Sequence, residues 1–588
     1  MYQNTPFYNI RPVGDFRDLL AQSAELFADR PAFKLKNEAG EYYDVSYPAL
    51  RDDVYALGTM LLELGLQGKK IAVIGNNCYE WCAAYLAVTC GTGVVVPIDK
   101  ELPACDIENI LRVSDSSAIF FDEKAAQKVF ENRDSLPENF KMISLGEGDA
   151  GQGILSLHEL LKQGHALLKR GDTRFQNAPI DAEGLGSLLF TSGTTGMAKG
   201  VMLSQRNICE DIMSLSGVVE IRPTDQLLSI LPLHHTYECS LGFIMILYSG
   251  ACIAFCEGLR YIVKNMQEVE PTIFITVPLM LEKMHDRILK TAAKKKGGKL
   301  MLGIGKALSS ATSALGMDIN DKIFGEIQRN FGGRLRLIIT GAAAISPEVV
   351  KDFKTFGIPV YLGYGLTECS PLVIGNNDRV ELPDSVGVPL PGVEAKIIHA
   401  DSSGVGEICV KGPMVMLGYY EDPKATAEVI DEDGFFHTGD LGTVDENGCY
   451  RITGRIKNVI VTKNGKNIYP EEVEYYLNKN PFVAESIVVG EDEDDETMVT
   501  AKVFPNVEAI REKLKQNSVT KEDVFKALNN AVKEVNKKLP SYKSIKKLVI
   551  RESEFVKTTT QKIKRFAEEE KQARQEEREK QEKQEKDD

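Results

Sequence analysis

One pattern restricts the fold more than any other. Short runs rich in Val and Ile (KKIAVIG, GVVVPI, SAIFF, TIFITV, RLRLIIT and IPVYLGYG) alternate with longer stretches of helical periodicity such as FRDLLAQSAELF. A short continuous apolar run suits a strand buried on both faces, and strands separated by helices pair in parallel after crossing over. The expected class is therefore α/β, with layered and mainly parallel sheets. At 588 residues the chain exceeds what one hydrophobic core organises, so two or more domains are expected. The longest uncharged stretch, Cys239 to Cys256, reaches only the lower edge of membrane-helix length, and Ser249-Gly250 interrupts it. It reads as a helix turning into a buried strand at ACIAF.

Charge narrows the partners. Lys and Arg number 70 against 85 Asp and Glu, a net charge of −15 that repels a phosphate backbone, so no nucleic-acid partner is expected. Eleven cysteines without a CxxC pair fit a reduced cytosolic protein better than a disulfide framework or a zinc site. Cys78, Cys82, Cys252 and Cys256 have helical spacing and read as packed thiols. The start, MYQNTPFYNIRPVGDF, lacks the basic and apolar regions of a signal peptide, so a cytoplasmic location is expected. A basic segment after Ile288, KTAAKKKGGK, reads as a solvated loop or helical hairpin, with peripheral contact at the inner face of a membrane left open. Residues 566–588 contain no branched aliphatic side chain and form a charged tail, a frayed helix or disordered.

The segment richest in chemistry is Leu188 to Gln205, LLFTSGTTGMAKGVMLSQ, in which an apolar strand empties into a loop of Thr, Ser and Gly ahead of a helix. Glycines let backbone N–H groups approach an oxyanion, hydroxyls add donors, and Lys199 brings a compact positive charge. It is not a Walker loop, because Ala198 replaces the second glycine and Gly200 the Ser or Thr of GxxxxGK[ST]. The string instead resembles the [ST]SG[ST]TGxPKG signature of the acyl-adenylate-forming superfamily, Ala198 standing for Pro.

Further motifs follow in that family's order. LPLHHTYE, Leu231 to Glu238, resembles the segment that sets a histidine beside the substrate carboxylate; His235 takes that role and His234 a packing one. Gly341-Ala342-Ala343-Ala344 resembles the GGAPL turn against which adenine and the acyl group lie. YLGYGLTECSP, Tyr361 to Pro371, resembles the YGxTE motif. The resemblance implies that Tyr364, with Gly365, stacks on adenine, Thr367 binds the α-phosphate, and Glu368 holds Mg²⁺ with Thr191. It likewise assigns Thr191, Ser192, Gly193, Thr194, Thr195, Gly196 and Lys199 to the phosphates, Asp440 of HTGDLG to the ribose hydroxyls, Arg455 to the ribose and Lys457 to a hinge. TTTQKIKR, Thr558 to Arg565, resembles PxTxxGKIxR and puts the catalytic lysine at Lys562, with Gln561 for Gly and the upstream Pro absent.

The similarity is greatest to bacterial-type long-chain fatty acid CoA ligases. It implies a large multi-subdomain N-terminal domain over 1–454, a hinge at 455–458, and a small mobile α+β C-terminal domain over 459–565. The implied reaction takes a fatty acid and ATP to acyl-AMP and pyrophosphate, then coenzyme A to acyl-CoA and AMP. Lys463, Gly465 and Lys466 of TKNGKN are candidate contacts for coenzyme A. Ranked behind it are an adenylate former for an aromatic or bile acid, a carrier-protein loader and, last, a non-catalytic nucleotide-binding scaffold. Oligomeric state, a homodimer included, stays open.

Overall fold

The computed structural model describes residues 4–149, 152–191, 199–294, 320–462, 466–493, 496–515, 518–558 and 563–565. Compactness divides the chain into two units: Met1–Ala395 with Val410–Phe436 and Glu446–Cys449, and Lys396–Cys409 with His437–Asp445 and Tyr450–Asp588.

Two large sheets build the first unit, and all six Val/Ile runs are strands within them. In the nine-stranded sheet, Val360–Gly365, Leu337–Gly341, Ile273–Thr276, Gln226–Ser229, Cys252–Phe255 and Pro31–Lys36 lie side by side in parallel. Antiparallel strands close both edges. The eight-stranded sheet is parallel from Leu185–Thr191 through Val94–Ile98, Lys70–Ile74, Ser116–Phe121 and Lys141–Ser144 to Ile154–Ser156. Parallel strands of this kind are covered on both faces, which is why LIITG over Leu337–Gly341 is buried at every position.

Helices cover the sheets with one apolar face each. Phe16–Leu26 starts at Asp15, whose carboxylate accepts the Asp18 N–H at 2.8 Å, and buries Phe16, Leu19, Leu20 and Ala24. The uncharged stretch becomes a π-helix (Tyr237–Ile244), a short α-helix (Met245–Tyr248) and the buried strand Cys252–Phe255. Gly250 makes the turn between them at φ +74°, where a Cβ would fall 2.6 Å from the Phe27 ring. Among the described residues no helix is long and apolar enough to cross a membrane. Cys82 and Cys252 are buried and Cys78 and Cys256 half-buried, in keeping with packed thiols. Most of the basic insertion and the charged tail lie outside the described residues.

The second unit is smaller. Most of a four-stranded sheet belongs to it, in the order Glu394–Ile398, Gly406–Lys411, Phe436–Val444, Tyr450–Arg455. The rest includes a two-stranded sheet, Ile460–Val461 with Asn467–Ile468, and a three-stranded sheet of Val483–Glu493, Glu496–Pro505 and Lys547–Ile550, with the helices Pro470–Asn478, Val507–Leu514 and, last, Lys521–Asn536. The latter begins with a reciprocal cap between Thr520 and Asp523 and turns Leu528, Ala531, Val532 and Val535 into the core.

Candidate functional site

Strand order reverses direction between Gln226–Ser229 and Ile273–Thr276: the first leads to Cys252–Phe255 on one side, the second to Leu337–Gly341 and Val360–Gly365 on the other. Ligands of open α/β sheets bind outside the carboxyl ends of strands at such a point. His235 lies on the segment leaving Ser229, its N–H donating to the Pro232 carbonyl at 3.0 Å and its own carbonyl capping Cys239 at 2.9 Å. His234 is packed 3.6 Å from Asp99. Burial pushes its imidazole below the ordinary value, with Asp99 opposing and Lys100 assisting. Three residues after His235, the fully buried Glu238 accepts the Ser229 hydroxyl at 2.5 Å, and desolvation raises its carboxyl to about 8.

The next two carboxyl ends hold the small-residue turn and the YGxTE segment. Gly341 pairs with Gly363, and a Cβ on Gly341 would meet the Gly363 carbonyl oxygen at 2.7 Å. Ala342 follows in the left-handed region at φ 71°, leaving Ala343 exposed. Tyr364 is 8% exposed, and Gly365 sits so close to Pro371 that a Cβ would fall 1.9 Å from its carbonyl oxygen. Both glycines are thus required by close approach of neighbouring backbone.

Thr367–Cys369 is a single 3₁₀ turn, and several bonds hold it. The Ser370 hydroxyl donates to the Met414 carbonyl at 2.9 Å, the Ser240 hydroxyl to the Ser370 carbonyl at 2.6 Å, and the Met416 N–H to the Glu368 carbonyl at 2.8 Å. The Glu368 carboxylate accepts the Tyr419 hydroxyl at 2.9 Å, while the Lys199 ammonium lies 4.6 Å from the centroid of the same Tyr419 ring. Lys199 is directly opposite Thr191 across an antiparallel pair. The loop is therefore the end of a β-hairpin. The sequence suggested strand, loop, helix; a second strand, Lys199–Ser204, intervenes, and the helix Gln205–Ser216 starts only at the Ser204 cap. Ser192, Gly193, Thr194, Thr195 and Gly196 lie outside the described residues. A carboxylate on Glu368 and a hydroxyl on Thr191 are hard oxygen donors of the kind that suits Mg²⁺.

In the second unit Asp440 and Arg455 are opposite each other on adjacent strands, and the Arg455 Nε donates to Asp440 Oδ1 at 2.7 Å. Asp440 is nearly buried and Arg455 half exposed. The strand segment that carries Asp440 is tied down: the Asp440 N–H donates to the Thr438 hydroxyl at 3.1 Å, which donates to the Ile408 carbonyl at 2.7 Å. Lys457 is exposed in the 3₁₀ turn Ile456–Asn458. Lys466 stacks its ammonium 4.6 Å from the Tyr542 ring centroid, while Lys463 and Gly465 are outside the described residues. Lys562 is outside them too; of the residues on either side, Lys557 pairs with Ile563. Lys557 is ion-paired to Glu485 and Arg565 to the buried Glu474, so both flanks are anchored.

Comparison with known proteins agrees with this layout. The AMP-binding enzyme family matches residues 20–420, and the AMP-binding enzyme C-terminal domain matches 457–576. The chain belongs to the AMP-binding enzyme family. It is 31% identical to long-chain-fatty-acid–CoA ligase 1 of Cavia porcellus, over 84% of this chain and 74% of that one. Long-chain-fatty-acid–CoA ligase FadD15 of Mycobacterium bovis is 27% identical over 94% of this chain and 95% of its own. The crystal structure of an ATP-bound RpMatB-BxBclM chimera superposes with a TM-score of 0.72 at 25% identity, covering 94% of this chain and 98% of that one.

Two elements of this AMP-binding enzyme escape sequence reasoning. Tyr419, which joins Glu368 to Lys199, sits in GYYEDP, a string with nothing to distinguish it from a surface turn. Glu407 accepts the Gly439 N–H at 3.1 Å and so braces the strand segment bearing Asp440 from a neighbouring strand. Only strand register brings it there.

Proposed function

We propose that this AMP-binding enzyme is an AMP-forming acid–thiol ligase: a fatty acid carboxylate attacks the α-phosphorus of ATP, pyrophosphate leaves, and coenzyme A then takes the acyl group and releases AMP. The observation that carries the reading is the Glu368–Tyr419–Lys199 cluster beside the hairpin that starts at Thr191. A carboxylate set against a polyphosphate is electrostatically reasonable only with a cation between them, and Glu368 with Thr191 would hold Mg²⁺, which supplies charge neutralisation at the phosphates.

The chain's own residues do the remainder. Amides and hydroxyls of residues 191–196 and the Lys199 ammonium hold the phosphates, the Tyr364 ring and the backbone at 341–343 take adenine, and Asp440 accepts the ribose hydroxyls. His235 stands beside the reacting carboxylate. Lys562 offsets charge gathering on the phosphoryl oxygens: one charge about 4 Å away is worth roughly 4 kcal/mol at an effective dielectric near 20, about a thousandfold in rate. Lys457 is the hinge, and Lys463, Gly465 and Lys466 contact coenzyme A. Two features support a long acyl chain: the names of the relatives, and the buried apolar run Leu241–Leu247 next to the switch point.

The test is ATP-dependent pyrophosphate release across straight-chain fatty acids of graded length, with benzoate and a bile acid as comparisons. Release that rises with chain length and yields a CoA thioester is expected. Release with benzoate or the bile acid alone, or acyl transfer to a carrier protein and not to coenzyme A, would overturn the proposal.

A further inference from the structure

Away from the groups assigned above to ATP, three donors of metal-binding chemistry converge on one face of the four-stranded sheet. Glu407 and Cys409 alternate along the strand Gly406–Lys411 and so project to the same side; His437 stands on the adjacent strand Phe436–Val444. The His437 Nδ1 is 3.6 Å from the Cys409 Sγ and 3.2 Å from the Glu407 Oε2, and the three ligand atoms lie within 4.8 Å of one another. Zinc bonds of about 2.0–2.3 Å at tetrahedral angles place their donors about 3.3–3.6 Å apart. The two separations from the His437 nitrogen are close to that range.

The donor types add to this: an imidazole nitrogen, a thiol sulfur and a carboxylate oxygen are all ligands that zinc takes. Two rigid strands carry the donors, and the Gly439 N–H fixes the second Glu407 oxygen at 3.1 Å, an outer contact of the kind that orients a ligating carboxylate. Cys409 is buried, whereas His437 and Glu407 are partly exposed, so the donors are reachable from solvent.

We infer that Glu407, Cys409 and His437 form a binding site for a borderline-soft divalent cation of the zinc type, independent of the fatty acid reading. The Cys409 thiol gives up its proton to solvent as its sulfur bonds the metal. Because His437 precedes Asp440 by three residues on one strand, an ion here would also stiffen the strand segment bearing Asp440.

The full chain, stripped with a chelator, is titrated with Co²⁺ alone and then with Zn²⁺. One equivalent of cobalt with a thiolate-to-metal charge-transfer band, displaced by zinc, is expected. Cys409→Ala and Cys409→Ser should each abolish the band, Glu407→Gln should weaken zinc about tenfold or more, and Cys105→Ala, at an exposed thiol, should leave it unchanged. A wild-type chain with no such band, or a band that survives in either Cys409 variant, would overturn the inference.

Discussion

Glu238 gives the fold a pH dependence that a single substitution should erase. Its side chain is fully buried, with one hydrogen bond from Ser229, and desolvation lifts its carboxyl from 4.5 to about 8. The folded protein therefore keeps the proton at neutral pH, while the unfolded chain loses it near the ordinary value. Between those two values the folded state binds one proton more, so stability falls as pH rises, by about 1.4 kcal/mol per pH unit. The full loss by pH 8 is on the order of 5 kcal/mol; below 4.5 it vanishes. Glu238→Gln cannot titrate. It keeps an acceptor for Ser229, but its amide N–H groups next to Gly242 cost roughly 1–3 kcal/mol at every pH. Trp81, the sole tryptophan and buried in the first unit, reports the transition by fluorescence in urea. Wild type should lose several kcal/mol more than the variant between pH 5 and pH 8. Parallel pH profiles for the two proteins would refute the idea that Glu238 is neutral in the fold.

Three other substitutions probe the site. Tyr419→Phe keeps the ring under Lys199 and removes the hydroxyl on Glu368; a hydrogen bond to a charged group is worth about 1.5–3 kcal/mol, so half-maximal activation should need about tenfold more Mg²⁺. An unchanged Mg²⁺ titration would show that the hydroxyl does not orient the carboxylate. Ala342→Gly relieves a left-handed residue and should raise stability by about 0.5–1 kcal/mol in the same urea assay, and a destabilised variant would contradict the strain at φ 71°. Lys562→Ala should slow acyl-AMP formation by about a hundredfold to a thousandfold and barely slow thioester formation from supplied acyl-AMP; equal losses would remove it from the first step.

How far the sequence speaks depends on the range of the interaction. Strands such as KKIAVIG and RLRLIIT announce themselves because burial on both faces demands an unbroken apolar run, and the Gly and Ala residues at 341–343 do so because backbone must be approached closely. Partnerships set by register stay hidden. Tyr419 reaches Glu368 through a two-residue edge strand, Gly418–Tyr419, that no periodicity reveals. Cys409 and His437 are 28 positions apart, and a count of cysteine spacings gave no zinc site, since pairing across strands leaves no fixed interval in the chain. The hairpin at 191–199 was read as strand, loop, helix because KGVMLS is short and carries a lysine and a glycine, poor letters for a strand until the edge pairing with Tyr419 is known.

Activation of the acid at the α-phosphorus of ATP can be followed with fatty acid labelled with heavy oxygen in its carboxylate. Attack on the α-phosphorus leaves one carboxylate oxygen on phosphorus when the thiol displaces AMP, so AMP should carry one label and pyrophosphate none. Label in inorganic phosphate, or unlabelled AMP beside labelled thioester, would contradict the account.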